Sequence, residues 1–114
     1  MQPMDIYIAD VPFDEENGSK VRPALVLRVR DGWVNVFKVT SQYQNKSTKI
    51  KRFYYPICEW KQAGLKKQSY VDTHRTYSLP EKFIFSRRPI GKLTELDRIK
   101  LFEFIQRVRK KIRV

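Results

Sequence analysis

The dipeptide Asp31-Gly32 constrains this chain more than any other feature of it. It separates Ala24-Leu25-Val26-Leu27-Arg28-Val29-Arg30 from Trp33-Val34-Asn35-Val36-Phe37-Lys38-Val39-Thr40, two runs rich in β-branched and aromatic residues. A two-residue connection of this kind forms a type I′ turn, whose central positions both need positive φ, a conformation that Asp and Gly tolerate and most residues do not. A hairpin follows, and the turn sets its register, with opposed residues carrying numbers that add to 63. Val29 then faces Val34, Leu27 faces Val36, Val26 faces Phe37 and Ala24 faces Val39, so apolar side chains meet across the pair. At the far end the same rule sets Arg22 opposite Ser41 and Pro23 opposite Thr40. A bulge in either strand would shift those last pairings by one residue and exchange the two faces.

Around this hairpin the chain reads as short β segments closed by a helix. Ile6-Tyr7-Ile8-Ala9-Asp10-Val11 is a first strand that ends at Pro12, and the polar stretch Asp14 to Lys20 is an exposed loop. Gln42 to Arg52 is polar and basic and reads as a long loop or a ragged strand end. Phe53-Tyr54-Tyr55-Pro56-Ile57 predicts a strand, Glu59 to Ala63 a helical turn stopped by Gly64, Ser69 to Thr73 another strand, and Phe83-Ile84-Phe85 a further short one. Thr94 followed by Asp97 resembles a capping box, after which Leu101, Phe104, Ile105, Val108 and Ile112 recur at helical spacing. The outer face of this amphipathic helix carries Arg107, Arg109, Lys110 and Lys111. The expectation is one domain over residues 1–114, mainly β, with about five strands closed or half-closed into a barrel. Trp33, Trp60 and the helical stripe are read as packing residues and Cys58 as a small buried apolar group.

Charge narrows the function. Lys and Arg number 24 against 12 Asp and Glu, a formal net charge of +12. Such an excess attracts polyanions and makes their binding salt-dependent, so nucleic acid, an anionic membrane or an acidic protein are the candidate partners. Apolar runs are a few residues long and the start lacks a basic stretch followed by an apolar one, so neither a membrane span nor an export signal is expected. A lone Cys58 suits a reducing interior, and the expected compartment is the cytoplasm. One His and one Cys cannot supply the usual zinc ligands, no Gly-rich phosphate loop is present, and no metal or cofactor is expected.

The remaining chemistry is that of Arg, Thr, Ser, Asp and His on a bound anion. Arg22 precedes Pro23, whose ring holds it extended at the mouth of a strand, and the hairpin rule brings it beside Thr40 and Ser41. A guanidinium next to hydroxyls can hold a phosphate and stabilise charge developing on it. On RNA the ribose 2′-OH is a built-in nucleophile, so cleavage to a 2′,3′-cyclic phosphate and a 5′-OH needs positioning and charge stabilisation alone. In a second reading Arg22 pairs with Glu15 or Glu16 and pins the first loop.

Several stretches resemble the MazF/PemK toxins of bacterial toxin-antitoxin pairs. These are Asp5 to Phe13, the loop Gly18-Ser19-Lys20, Val21-Arg22-Pro23-Ala24-Leu25-Val26-Leu27, Val39-Thr40-Ser41, Trp60 to Leu65 with Ser69-Tyr70-Val71, and Ile90-Gly91-Lys92-Leu93-Thr94. The resemblance implies an SH3-like small barrel of the CcdB/Kid/PemK kind with a C-terminal amphipathic helix. It also implies a homodimer, sequence-specific and metal-independent cleavage of single-stranded RNA, and neutralisation by a cognate acidic antitoxin protein. It makes Arg22 and Thr40 catalytic. Asp72-Thr73-His74-Arg75-Thr76 matches a variant in which the Asp is the base, which makes Asp72 a secondary candidate, although Tyr70 stands where that variant has an Arg acid and Glu16 where it has a loop His. Candidates for RNA contact are Glu16, Ser19 and Lys20 in the first loop, Ser41, Gln42 and Tyr43 after the second block, Lys46 and Lys49 in the basic run, and His74 and Arg75. Tyr43, Phe53, Tyr54 and Tyr55 are candidates for stacking on bases. A non-catalytic toxin or a nucleic-acid-binding barrel of the same fold is the alternative.

Overall fold

Asp31 and Gly32 both adopt positive φ, 51° and 80°, and close the expected hairpin. Its strands are β2 (Ser19–Arg30) and β3 (Trp33–Thr40), in a computed structural model that describes residues 1–13, 18–85 and 87–112. Near the turn the register is the expected one, with Arg30 opposite Trp33, Val29 opposite Val34 and Arg28 opposite Asn35. A β-bulge then intervenes between Val26 and Arg28, and the pairs become Val26 with Val36, Leu25 with Phe37 and Ala24 with Lys38. The partners of Val26 and Ala24 are therefore each displaced by one residue from those expected, and Leu27 is left without one. Two residues of the bulged strand oppose one of its partner, which bends and coils the pair.

The remaining elements are β1 (Asp5–Pro12), α1 (Thr48–Lys51), β4 (Tyr54–Pro56), β5 (Tyr70–Asp72), β6 (Tyr77–Pro80), a turn of 3-10 helix at Glu81–Phe83, β7 (Gly91–Lys92) and α2 (Glu95–Ile112). The strands form one antiparallel sheet in the order β4-β5-β3-β2-β1-β7, with β6 on the free edge of β3. The result is the expected mainly-β, SH3-like architecture, a curled half-barrel with one long C-terminal helix.

Three stretches differ from the sequence reading. Within Gln42 to Arg52, Ser47 caps α1 by accepting the Ile50 N–H at 3.3 Å. Phe83 to Phe85 is not a strand but follows the 3-10 turn, with a single bridge from Ile84 to Ala9. The strand of that region is β6, whose register against β3 buries Leu79. Its Pro80 lies at the strand end, where a missing N–H costs no ladder bond.

Apolar clusters occupy both sides of the sheet. One holds Ile6, Leu25, Phe37, Val39, Ile57, Val71 and Leu101, with Trp60, Phe104 and Ile105 packed against it. The other holds Tyr7, Ala9, Val11, Ala24, Val26, Val34, Val36 and Leu79. Burying each such side chain contributes about 1.5–3 kcal/mol, so α2 is held by Leu101, Phe104 and Ile105 rather than by helix propensity. The side chains of Lys111 and Ile112 lie outside the described part.

The start of α2 is anchored by a buried carboxylate. Asp97 is fully buried and accepts hydrogen bonds from the Tyr55 hydroxyl at 2.5 Å, the Cys58 N–H at 2.9 Å and the Glu59 N–H at 2.8 Å. Thr94 caps the helix as expected, its Oγ1 accepting the Asp97 N–H at 3.4 Å and donating to Glu59 at 2.5 Å. The Asp97 carboxylate thus turns inward to the turn after β4. That turn ends at Gly64 as expected, with φ +91°. A Cβ at Gly64 would meet the Ile90 carbonyl oxygen at 2.2 Å, and one at Gly91 the Ala63 carbonyl oxygen at 1.7 Å, so two backbone segments touch where side chains do not fit. Cys58 is exposed, contrary to its reading as a buried group.

Candidate functional site

Directly opposed residues of a sheet share a face, and along each strand the faces alternate. Ala9 faces Arg22 across β1 and β2, and Ala9 belongs to the cluster that contains Ala24 and Val36. Lys38 faces Ala24, Thr40 faces Tyr70, and Asp72 faces Tyr54. Arg22, Lys38, Thr40, Tyr70 and Asp72 therefore all project from one side of the sheet. The bulge brings this about. In the unbulged register Arg22 would have faced Ser41, whereas in the observed register Thr40 lies as far beyond Lys38 as Arg22 lies beyond Ala24.

Ser41 falls on the opposite side and lines a shallow groove of roughly 460 Å³ with Ile8, Pro23, Val39, Leu65 and Ile90. The expected pair of hydroxyls beside Arg22 is thus replaced by Thr40 alone from this segment. Pairing between β2 and β3 ends at Ala24 and Lys38, so Arg22 and Thr40 stand beyond the last rung of the ladder.

Arg22 is half-buried, and its Nε is shielded from solvent without a hydrogen-bond partner among the described residues. A buried N–H of a cation left unpaired is costly, and a bound anion is the group that would satisfy it. Thr40 Oγ1 accepts the Gln42 N–H at 3.0 Å, which fixes the rotamer and leaves the O–H free to donate. Asp72 is buried, forms an ion pair with Lys38 at 3.4 Å, and accepts the His74 N–H at 3.0 Å. Both side chains of that pair are shielded, 14% and 7% exposed, so it is a fixed part of the wall.

Tyr43 stacks on Tyr70 with ring centroids 4.3 Å apart and planes 8° from parallel, and the Lys51 ammonium lies 4.8 Å from the Tyr43 centroid. The phenol of Tyr70 is held by this stack on the same side as Thr40. Lys38 is a site residue that the sequence did not single out, and Tyr70 was noted only as standing in place of an Arg acid. Once the bulge is known, strand parity alone finds them.

The other expected contacts are more dispersed. Ser19 and Lys20 pair with Pro12 and Val11 at the exposed end of the β1–β2 ladder, and Glu16 lies outside the described residues, as does Glu15. Gln42 and Lys49 are exposed, and Lys46 is half-buried with its N–H on the Tyr43 carbonyl at 3.0 Å. His74 packs against Phe53 with centroids 4.6 Å apart, and His74 and Arg75 line a hollow of about 230 Å³ with Ile105, Val108 and Arg109 of α2. Phe53, Tyr54 and Tyr55 are buried and offer no face to a base, contrary to expectation. Trp60 packs as expected, but Trp33 is 52% exposed and is not a core residue.

No group of three or more His, Cys, Asp or Glu side chains that could hold a metal ion occurs among the described residues, and none of the described helices is long and apolar enough to cross a membrane.

Comparison with known proteins points in one direction. A family model described as PemK-like, MazF-like toxin of type II toxin-antitoxin system matches residues 2–112. No curated protein sequence matches. Among solved structures the chain is similar to Mycobacterium tuberculosis toxin MazF-mt6, at 23% identity and a TM-score of 0.67, covering 93% of this chain and 96% of that one. It is also similar to a structure described as an Mtb toxin, at 22% identity and a TM-score of 0.62, covering 90% and 97%. These likenesses carry the fold, while the family match spans nearly the whole sequence. The chain belongs to the PemK-like, MazF-like toxin family of type II toxin-antitoxin systems.

Proposed function

We propose that this protein is a sequence-specific, metal-independent endoribonuclease that cleaves single-stranded RNA by attack of the 2′-OH on the adjacent phosphate. The observation that carries this reading is the solvent-shielded Nε of Arg22, without a partner among the described residues, on the same side of the sheet as the Thr40 hydroxyl. In this scheme Arg22 binds the scissile phosphate and stabilises the charge that builds on it, and Thr40 donates to a second phosphate oxygen. The 2′-OH gives its proton to solvent water and its oxygen forms a bond to phosphorus as the bond to the 5′-oxygen breaks, leaving a 2′,3′-cyclic phosphate and, once the 5′-oxygen is protonated, a 5′-OH. Tyr70, opposite Thr40 and fixed by its stack on Tyr43, is placed to supply the proton that the departing 5′-oxygen needs. Asp72, engaged with Lys38, is the less suited base, and we assign it the role of holding Lys38 in place. Ser19, Lys20, Gln42, Tyr43, Lys46, Lys49, His74 and Arg75 remain candidates for RNA contact around this centre. Family membership supports an acidic antitoxin as the neutralising partner, a homodimer as the working form and the cytoplasm as its compartment.

The test is incubation with defined RNAs in excess chelator, followed by mapping of the ends. The expected outcome is cyclic-phosphate and 5′-OH ends with no metal dependence. Arg22→Ala is expected to cut cleavage by roughly 10²–10³-fold, the range for loss of one preorganised charge-stabilising donor, while the unfolding midpoint holds. A wild type that binds RNA and leaves it uncut points to the non-catalytic reading, and rescue by magnesium overturns the metal-free scheme.

A further inference from the structure

The tip of the β2–β3 hairpin carries a second polar face that the proposed reaction does not use. Arg28 faces Asn35, Arg30 faces Trp33, and Asn35 in turn faces Ser78 of β6. These residues alternate with Val29 and Val34, which turn to the apolar cluster on the other side, so they share one surface of the sheet. Together with Asp31 they line an open hollow of about 240 Å³.

Three features of the hollow suggest a ligand. The Trp33 indole is 52% exposed at a place where no core requires it. Arg28 and Arg30 are exposed beside it, and the contact of Arg30 with Asp31, at 3.9 Å between side chains 76% and 90% exposed, leaves the guanidinium largely available. The Oδ1 of Asn35 is shielded from solvent and has no hydrogen-bond partner among the described residues, an acceptor lacking a donor beneath the longer side chains of the tip.

We propose that this hollow is a nucleotide-binding subsite for single-stranded RNA, holding one unpaired base. The base stacks on Trp33, an exocyclic amine of its edge donates to Asn35 Oδ1, and the flanking phosphates rest on Arg28 and Arg30. An acidic peptide fits less well. Carboxylates would engage the arginines but present no flat ring to the exposed Trp33 indole, whereas a base stacks on it, and adenine, cytosine and guanine each also bring an N–H₂ group to Asn35. Uracil has no exocyclic amine and offers only its ring N3–H, flanked by two carbonyl oxygens that face the Asn35 acceptor unfavourably, so weaker binding of uracil is expected. The inference rests on the ribonuclease reading only in taking RNA as the polyanion, and its test does not depend on cleavage.

In the Trp60→Phe variant of this chain, Trp33 is the sole indole. This protein is titrated with 2′-O-methyl oligoadenylate and oligouridylate, which cannot be cut, while indole fluorescence and affinity are read. Oligoadenylate is expected to quench Trp33 and to bind several-fold more tightly than oligouridylate. Trp33→Ala is expected to weaken oligoadenylate binding by roughly 5–150-fold, the span of base–aromatic stacking. Replacing Arg28 and Arg30 with Gln lowers the slope of log affinity against log salt by about 0.7 for each phosphate that is no longer neutralised. Asn35→Ala removes the preference for oligoadenylate over oligouridylate, and circular dichroism confirms that each variant is folded. Absence of quenching, or unchanged affinity in Trp33→Ala, overturns the subsite. Quenching by a polyglutamate peptide that displaces the RNA assigns the surface to an acidic protein instead. If Trp33→Ala loses RNA binding while cleavable RNA survives the wild type intact, the subsite stands and the ribonuclease reading falls.

Discussion

Removal of the Asp97 carboxylate tests how the helix is tied to the sheet. Asp97→Ala deletes the acceptor for the Tyr55 hydroxyl and for the Cys58 and Glu59 N–H groups, all at 2.5–2.9 Å around a side chain with no exposure. Hydrogen bonds to a charged group are each worth about 1.5–3 kcal/mol, but removing the carboxylate also removes the cost of burying it, so the separate values do not add. What persists is the penalty of donors left without an acceptor, and a net loss of about 3–5 kcal/mol follows, as for breaking a buried charged network elsewhere. Against a total stability of about 5–15 kcal/mol this is a large share, and at roughly 4 °C per kcal/mol it lowers the melting temperature by about 12–20 °C. Tyr55→Phe removes one donor and keeps the ring against Phe104, 5.6 Å away, so its loss should be about 1–2 kcal/mol. Denaturant unfolding of both single variants and of the double variant gives the coupling directly, and about 1–2 kcal/mol of non-additivity is expected. Asp97→Ala within 1 kcal/mol of wild type, or strict additivity with Tyr55→Phe, would refute the role given to this carboxylate.

Three further outcomes are expected. Burial first, and the neighbouring Asp97 second, push the Tyr55 phenol well above its ordinary pKa. Above about pH 10 the unfolded chain then releases a proton that the folded one keeps, and stability falls as pH rises; in Tyr55→Phe, urea midpoints should decline less steeply over that range. Tyr70→Phe keeps the stack on Tyr43 but lacks the hydroxyl, so cleavage should slow by roughly 10²-fold while binding of uncleavable RNA is unchanged; equal rates would remove Tyr70 from the chemistry. Gly91→Ala places a methyl against the Ala63 carbonyl and should cost about 2–3 kcal/mol by thermal melting, with little loss arguing that the two segments move apart easily.

The features legible in the sequence were those decided by neighbouring residues. Asp31-Gly32 dictates its turn because positive φ is a local demand, Gly64 ends its helical turn for the same reason, and the apolar spacing of Leu101, Phe104 and Ile105 marks the buried side of α2. The bulge was not legible, since the choice of a residue to double against Asn35 and Val36 depends on how the whole sheet curls. Arg22 and Thr40 were legible as chemistry, but their common side depended on that bulge, and Ser41 was placed with them for want of it. The inward turn of Asp97 escaped because a capping-box spacing says nothing of a Tyr hydroxyl from a distant strand. Trp33 was read as packing because large aromatics usually are, and only burial shows otherwise.

The extra residue in β2 also bears on how a gene for this protein can change length. Leu27 and Arg28 share the space opposite a single partner, so an in-frame loss of the Leu27 codon would leave an ordinary ladder with Arg22, Ala24 and Val26 still pointing where they do now. Loss of a codon from β3, by contrast, would turn the next residues inside out, sending valines to solvent and Lys38 into the core. Length variation in descendants of this sequence should accordingly collect at that one kink and avoid the opposing strand.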